Sequence, residues 1–364
     1  MTAALSSPTV EYSDYWDWFE LACAEGWTDG LPLAPPTEER VGAIVEHLGR
    51  PPDEVVAVVP PKMGLATVEQ LAIQCAMAGC LPEHVPIVVA ALEAMTEPDF
   101  NLQGVQCTTN PCAPLTIVSG PVVERLGFNP AEGCFGGGAR ANAAVGRGIR
   151  LVLWNIGGGV PGQTDMATLG MPGKYAFCVA EHYGSSPWTP IHSDFGLPED
   201  ADAVTVFACS SPEPIFVPGA ADRILAVLAS TLPTTGINMF HAAGQLLVTI
   251  GLKPTLELAG AGHTKEDVRR WLFEHARYEL GHLRRSGALV ETEAHQTYWG
   301  YVPEHPDLAG LPDETLLPLV ERAEDIHILV AGGESQWWAG LSPGWGNYGG
   351  YARSRAVATS GSAG

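Results

Sequence analysis

The sequence predicts an α/β or α+β fold, with mixed sheets flanked by helices and divided between two sub-domains. Short β-branched runs such as VVAVV (55–59), LTIV (115–118) and AVTVFAC (203–209) read as strands, and segments of helical length separate them. The chain has 364 residues, enough for two sub-domains at roughly 100–200 residues each. The expected divisions are an N-terminal helical segment over 1–50, an α/β sub-domain with a glycine-rich loop over 51–165, a second α/β sub-domain over 166–350, and a disordered tail over 351–364. No repeat at a fixed period and no low-complexity tract interrupts this pattern.

Taken in order, DYWDWFELACAE (14–25) is amphipathic and predicts a helix capped by Ser13 or Asp14. A turn-rich loop leads to a helix starting near Thr37, and prolines stop the strand VVAVVPP at 60–61. Thr67 opens a helix that stops at Gly79, and another runs from about Pro82 to Met95. From Ala139 a helix is expected through ARANAAVGRGIRLVLWNI, with Gly157 as its left-handed closing residue. KYAFCVAEH (174–182) predicts a strand with Lys174, Ala176, Cys178 and Ala180 on one face, and Tyr175, Phe177, Val179 and Glu181 on the other. Then follow a helix over 219–232, a strand over 245–251, one long helix over 263–283 capped by Thr264, and a buried strand, IHILV, turning at its glycines.

Composition narrows the function classes. Hydrophobic residues make up 46%, too many for a disordered chain. A formal charge of −22 argues against nucleic acid, whose phosphates need clustered Lys and Arg, and against an anionic membrane surface. The opening MTAALSSPTV has neither a basic nor a long apolar stretch of the kind that targets export, so a cytoplasmic protein is expected. The eight cysteines include no CxxC pair, so they read as reduced thiols rather than a zinc or thioredoxin-type site. Aromatic clusters around Trp16 and Trp18, and around Trp337, Trp338 and Trp345, suit packing or subunit contact, and an oligomer is expected.

Four stretches carry candidate chemistry. In GCFGGGARANAAVGRG, Gly136, Gly137 and Gly138 precede a helix start, where backbone N–H groups and the helix dipole favour an anion. Arg140 and Arg147, two turns apart, would add charge, and Asn142 a hydrogen bond. In GVQCTTNPCAP, Pro111 holds Asn110 extended, so Thr108, Thr109 and Asn110 can line a polar pocket. Cys107 or Cys112 there would be a nucleophile if a cation lowered its pKa, and an inert buried thiol otherwise. The stretch 163–182 supplies Asp165, Lys174 and Glu181; a buried Glu181 would have a raised pKa suited to proton transfer. His275, Glu279 and His282 would share a helix face, but without HExxH a charged solvated face is the simpler reading, and no metal is expected.

Several long stretches together resemble a bacterial family: EGWTDGLPLAPPTEERV, AMAGCLPEHVPIVVAALEAM, FNLQGVQCTTNPCAPLTIVSGP, GGGARANAAVGRGIRLVLWNIGG, DMATLGMPGKYAFCVAE and DIHILVAGG. They are similar, in matching order over roughly residues 26–333, to the large subunit associated with UGSC-motif (seleno)proteins. The resemblance implies thiol- or selenol-linked redox chemistry with a small partner carrying Cys or Sec followed by Gly-Ser-Cys. This chain contains neither form of that motif. It also has Asn110 where the family tends to have His, and ESQWWAG where a GKHS-like segment follows the VAGG turn.

The expectation is that the loops at 104–114, 133–148 and 163–181 converge on one pocket. Arg140, Arg147, Gly137 and Gly138 would hold an anionic group, and Thr108, Thr109, Asn110, Asn142 and Asp165 would orient the rest. Lys174, Glu181, Cys107 or Cys112 would carry the chemistry. That describes an enzyme, or the large subunit of a two-protein enzyme, acting on a small anionic metabolite. The alternatives are a non-redox lyase or hydrolase of specialised metabolism, and a non-catalytic scaffold for a small redox partner. The residues specify no cofactor.

Overall fold

The computed structural model describes residues 5–237, 244–287, 308–346 and 348–358. Helix α1 (Tyr15–Ala24) begins where the Asp14 carboxylate accepts the Trp16 and Asp17 N–H groups. Helices α2 (Glu38–Leu48) and α3 (Val68–Ala78) start on Thr37 and Thr67 and end on the left-handed glycines Gly49 and Gly79. Between them, β1 (Val55–Val59) and β2 (Gly64–Thr67) form an antiparallel hairpin. Helix α4 (Val85–Met95) is apolar all round and accordingly buried. The short α5 (Leu102–Cys107) leads into β3 (Ala113–Ser119) and α6 (Val122–Arg125).

Helix α7 (Arg140–Leu151) continues as a π-helical turn over Val152–Ile156 before β4 (Cys178–Ala180), β5 (Ala203–Cys209) and β6 (Glu213–Phe216). The second half contains α8 (Ala221–Thr231), β7 (Leu246–Ile250), α9 (Leu252–Gly260), α10 (Lys265–His275), β8 (Arg277–Glu279), α11 (Leu280–Arg285), β9 (Leu316–Pro318), β10 (Ile326–Val330), β11 (Trp338–Pro343) and β12 (Arg353–Ala356). The fold combines helices with mixed sheets, as the α/β or α+β expectation has it.

The two main sheets share one topology. In the first, β4 is parallel to β3, β3 antiparallel to β5, and β5 antiparallel to β12. In the second, β10 is parallel to β7, β7 antiparallel to β11, and β11 antiparallel to β6. Each half therefore runs strand, helices, parallel strand, antiparallel strand. The fourth strands are exchanged: β6 follows β5 but joins the second sheet, and β12 follows β11 but joins the first. This is a repeat of topology that no sequence period announces.

Strand alternation then sorts side chains into layers. Leu115, Ile117, Val179 and Phe207 of the first sheet pack against Leu247 and Leu329 of the second. The outward residues of the first sheet, such as Val118, Ala180 and Val206, face α3, α4 and α7. Those of the second, such as Val248, Ile250 and Ile328, face α8 and α10. The architecture is a four-layer α-β-β-α sandwich. Among the described residues no single helix is long and apolar enough to cross a membrane.

Several expectations are corrected. The stretch 174–182 is a strand only over Cys178–Ala180, because Pro172–Lys174 forms a tight turn. Lys174 thus precedes the strand instead of lying on its face. The helix expected over 263–283 breaks after His275, where Arg277–Glu279 pair with Leu316–Pro318 and bury Tyr278. Gly157 is right-handed; the positive φ falls on Gly158. The chain after Tyr351, expected to fray, forms β12 on β5, and 359–364 lie outside the described residues. The division expected at 165/166 falls inside the first sheet, whose β3 pairs with both β4 and β5.

Gly120 shows where the backbone, not the side chains, sets the chain's course. It follows β3 at φ +94°, and a Cβ there would lie 2.0 Å from the Ala201 carbonyl oxygen. Gly120→Ala should cost about 2–4 kcal/mol in denaturant unfolding. Gly49→Ala, also left-handed but with open space around it, should cost only about 1–2 kcal/mol. Equal losses would show that strain alone, without the clash, accounts for both.

Candidate functional site

The β3–α7–β4 crossover decides which candidates meet. In such a unit the helix runs antiparallel to its strands, so its start lies near their carboxyl ends and its end near their amino ends. Thr108–Cys112 and Lys174 immediately precede β3 and β4, so they share the amino edge with the last turns of α7. Glu181 and the glycine-rich loop lie at the carboxyl edge. The single expected pocket is therefore divided between opposite edges of the sheet.

At the amino edge a charged cluster forms around Asp165. Lys174 Nζ donates to both carboxylate oxygens, at 2.8 and 2.7 Å. Arg150 Nη2 lies 3.5 Å from Asp165 Oδ2 and donates to the Gly159 carbonyl at 3.0 Å. The Arg150 guanidinium sits 5.7 Å from the Trp154 ring centroid, and its buried Nε has no hydrogen-bond partner. Asp165 is fixed in turn by the Ala167 N–H at 3.1 Å. Arg150 is 6% exposed, so this is charge held out of water. Two cations against one carboxylate leave an excess of one positive charge, in a chain that is otherwise −22.

The loop before β3 forms the adjoining wall. Thr108 Oγ1 accepts the Asn110 N–H at 3.1 Å and the Trp345 indole N–H at 3.1 Å. Asn110 Oδ1 accepts the Cys112 N–H at 3.0 Å, the local turn chemistry that Asn before Pro favours. The Thr109 carbonyl accepts the Thr168 N–H at 2.9 Å, which brings the 163–174 loop alongside. Cys107 is half-buried; burial, with the Asp165 carboxylate adding to it, pushes its thiol upward. Burial likewise pushes Cys112 up to about 12, against the pull of Lys174. Both thiols therefore stay protonated at neutral pH.

The remaining candidates do not join this cluster, and Arg140, Arg147 and Asn142 are engaged in holding the fold. Arg140 stands ten residues before Arg150, about 15 Å along the helix. Its guanidinium donates to the Gly79 carbonyl through Nε and Nη2, at 3.0 and 2.9 Å. Arg147 binds the Asp29 carboxylate, at 3.1 and 2.8 Å, and the Leu31 and Pro32 carbonyls, docking the loop after α1 onto α7. Asn142 exchanges hydrogen bonds with the Asn129 backbone, at 2.8 and 3.0 Å. Gly137 and Gly138 are exposed, Gly138 at φ +117°.

Glu181, at the carboxyl edge, is sealed. Its carboxylate accepts the Ile191 N–H at 2.8 Å, and burial pushes its pKa up to about 8. The loop it anchors reaches α10 of the second half. There Lys265 and Arg269 bind Asp194 at 2.7 and 2.5 Å, and Lys265 also donates to the Thr189 and Pro190 carbonyls. Next to Glu181, the His182 N–H donates to the Val330 carbonyl at 2.8 Å, joining β4 to the end of β10. Nearby, Ser119 Oγ and His192 Nδ1 lie 2.6 Å apart with His192 Nε2 against the Pro198 carbonyl. Both residues are 0% exposed, so this Ser–His pair is a structural clasp without access to substrate.

His275, Glu279 and His282 lie on three different elements, α10, β8 and α11, yet all line one open pocket. The His275 ring stacks on Trp271, with centroids 4.1 Å apart. Among the described residues no group of three His, Cys, Asp or Glu side chains is placed to hold a metal. Sequence reasoning missed Arg150, His182, His192, Asp194, Lys265, Arg269 and His327. Arg150 had a legible signal: a lone arginine inside the apolar stretch GIRLVLW needs a buried partner. No family model, curated protein or solved structure matches this chain.

Proposed function

We propose that the chain is an enzyme, or the large subunit of a two-protein enzyme, acting on a small anionic metabolite at the Asp165–Lys174–Arg150 cluster. The observation that supports this is the uncompensated buried positive charge beside the half-exposed Cys107 and the exposed Thr109. A carboxylate or phosphate on the ligand would balance it. The Thr108–Asn110 turn would orient the remainder. Lys174 would move the proton, its side chain being 14% exposed while the carboxylate that holds it is buried.

The protonated thiols favour the acid/base reading, a non-redox lyase or hydrolase, for the chain acting alone. The redox reading draws its thiol or selenol from a small Cys- or Sec-Gly-Ser-Cys partner docking at this edge. All eight cysteines are free, which suits a reducing compartment, and we place the protein in the cytoplasm as an oligomer. Calorimetric titration with malonate, succinate and inorganic phosphate tests the reading. At least one should bind, and Lys174→Met and Arg150→Met should each weaken it 10-fold or more, less steeply at high salt. Unchanged affinity in both variants would remove the site. Once a substrate is found, turnover surviving Cys107→Ser with Cys112→Ala would favour acid/base chemistry over a thiol.

A further inference from the structure

We infer that the protein has a second small-molecule site, under its N-terminal segment, that takes a neutral ring-bearing ligand with a carbonyl or hydroxyl acceptor. A cavity of about 560 Å³ lies between that segment, α1, α2 and α3. This is within the range of about 300–1,000 Å³ typical of ligand pockets. Tyr12, Trp18 and Trp27 form one wall, with ring centroids 5.7 Å apart for the first pair and 6.0 Å for the second. Val41, Ile73 and Met77 also line the cavity, and Ile73 and Met77 pack with Trp18 and Trp27 in one apolar cluster. Such apolar and aromatic lining suits a ring-bearing body.

The lining is selective in charge. It contains Glu38 and Glu69 but no Lys, Arg or His, so an anion is disfavoured. The ligand class therefore differs from that proposed at Lys174, and the two inferences stand independently. Among the polar lining groups, Gln74 is placed for recognition. Gln74 is 4% exposed, and its Oε1 accepts Asn155 Nδ2 at 2.8 Å, which fixes the amide so that the nitrogen is the free end. That Nε2 makes no hydrogen bond to any described residue, although Gln74 lines the cavity. A ligand oxygen in the cavity would give that nitrogen an acceptor.

The covering segment is held chiefly from α3. The Glu69 carboxylate accepts the Ser6 N–H at 3.0 Å, the Ser6 hydroxyl at 2.9 Å and the Ser7 N–H at 2.7 Å. Gln70 Nε2 adds a bond to Ser7 Oγ at 3.2 Å. Leu5, Pro8 and Val10 then close the cavity from above. The pocket is thus partly covered by chain that Glu69 and Gln70 position.

The test titrates the full chain with N-phenyl-1-naphthylamine, a neutral aromatic fluorophore that stands in for the unidentified ligand. Saturable binding of one equivalent is expected, uncompeted by malonate. Ile73→Trp, which fills the cavity from α3, and Val41→Phe, which fills it from α2, should each weaken binding at least 10-fold with melting temperature kept. Methyl resonances of Ile73 and Met77 give a reading that needs no variant, and they should shift on titration. Unsaturable binding, unshifted methyls, or native affinity in a folded, filled variant would overturn the site.

Discussion

Glu181→Gln should be more stable than the native chain at pH 8, by on the order of 4 kcal/mol, and should lose most of the fall in stability between about pH 5 and 8. The carboxyl is buried at the joint between the halves, and its pKa is pushed up to about 8 from an ordinary 4.5. Below the unfolded pKa both states carry the proton, and folding is unpenalised. As pH rises, the unfolded chain releases its proton first, so stability declines until the folded carboxyl also ionises. Glutamine keeps an acceptor for the Ile191 N–H and never ionises. The measurement is denaturant unfolding of both chains across that range. Parallel pH profiles would show that Glu181 is not the group responsible. His327, pushed down to about 4 chiefly by burial, acts in the opposite sense, so acid destabilisation from about pH 6.5 downward should persist in the variant.

Asp165→Ala should destabilise the chain by about 3–5 kcal/mol, because it removes the nearest counter-charge of the buried Arg150, leaving Asp29 as a weaker one, and releases Lys174. Adding Arg150→Met to that variant should recover part of the loss, since it removes the uncompensated charge along with its partner. An additive double variant would deny the coupling. The same substitution also probes ligand chemistry. With Asp165 gone, two cations face the site, and malonate or phosphate should raise the melting temperature of Asp165→Ala more than that of the native chain. An equal rise in both would count against an anion at this edge.

Much of the local structure is readable from the residues. Asp14, Thr37, Thr67 and Thr264 cap helices because a side-chain oxygen just before an apolar period has N–H groups to accept. β3, β5 and β7 announce themselves by β-branched runs that are buried on both faces. The strands that went unread, β6, β11 and β12 among them, are short or contain Gly, Pro, Ser and Arg, and they are strands because a neighbour supplies the hydrogen bonds. The same reason breaks the long amphipathic stretch at Arg277–Glu279.

The site divides in the same way. That 104–114 and 163–174 carry chemistry-bearing side chains is evident from the residues, and the structure brings Cys107, Thr109, Cys112, Asp165 and Lys174 to one edge. That Arg140 and Glu181 do not join them follows from the direction of α7 across β3 and β4, which composition and spacing do not encode.

The amino-acid sequence by itself determined a mixed α and β fold, the capped helix starts and most of the strands of the inner layers, because capping and hydrophobic period act over a few neighbouring residues. Only the tertiary structure decided the exchange of β6 and β12, the burial of Glu181 between the halves, and the choice of Arg150 rather than Arg140 beside Asp165. Those outcomes depend on hydrogen-bond partners and counter-charges that arrive from distant parts of the chain.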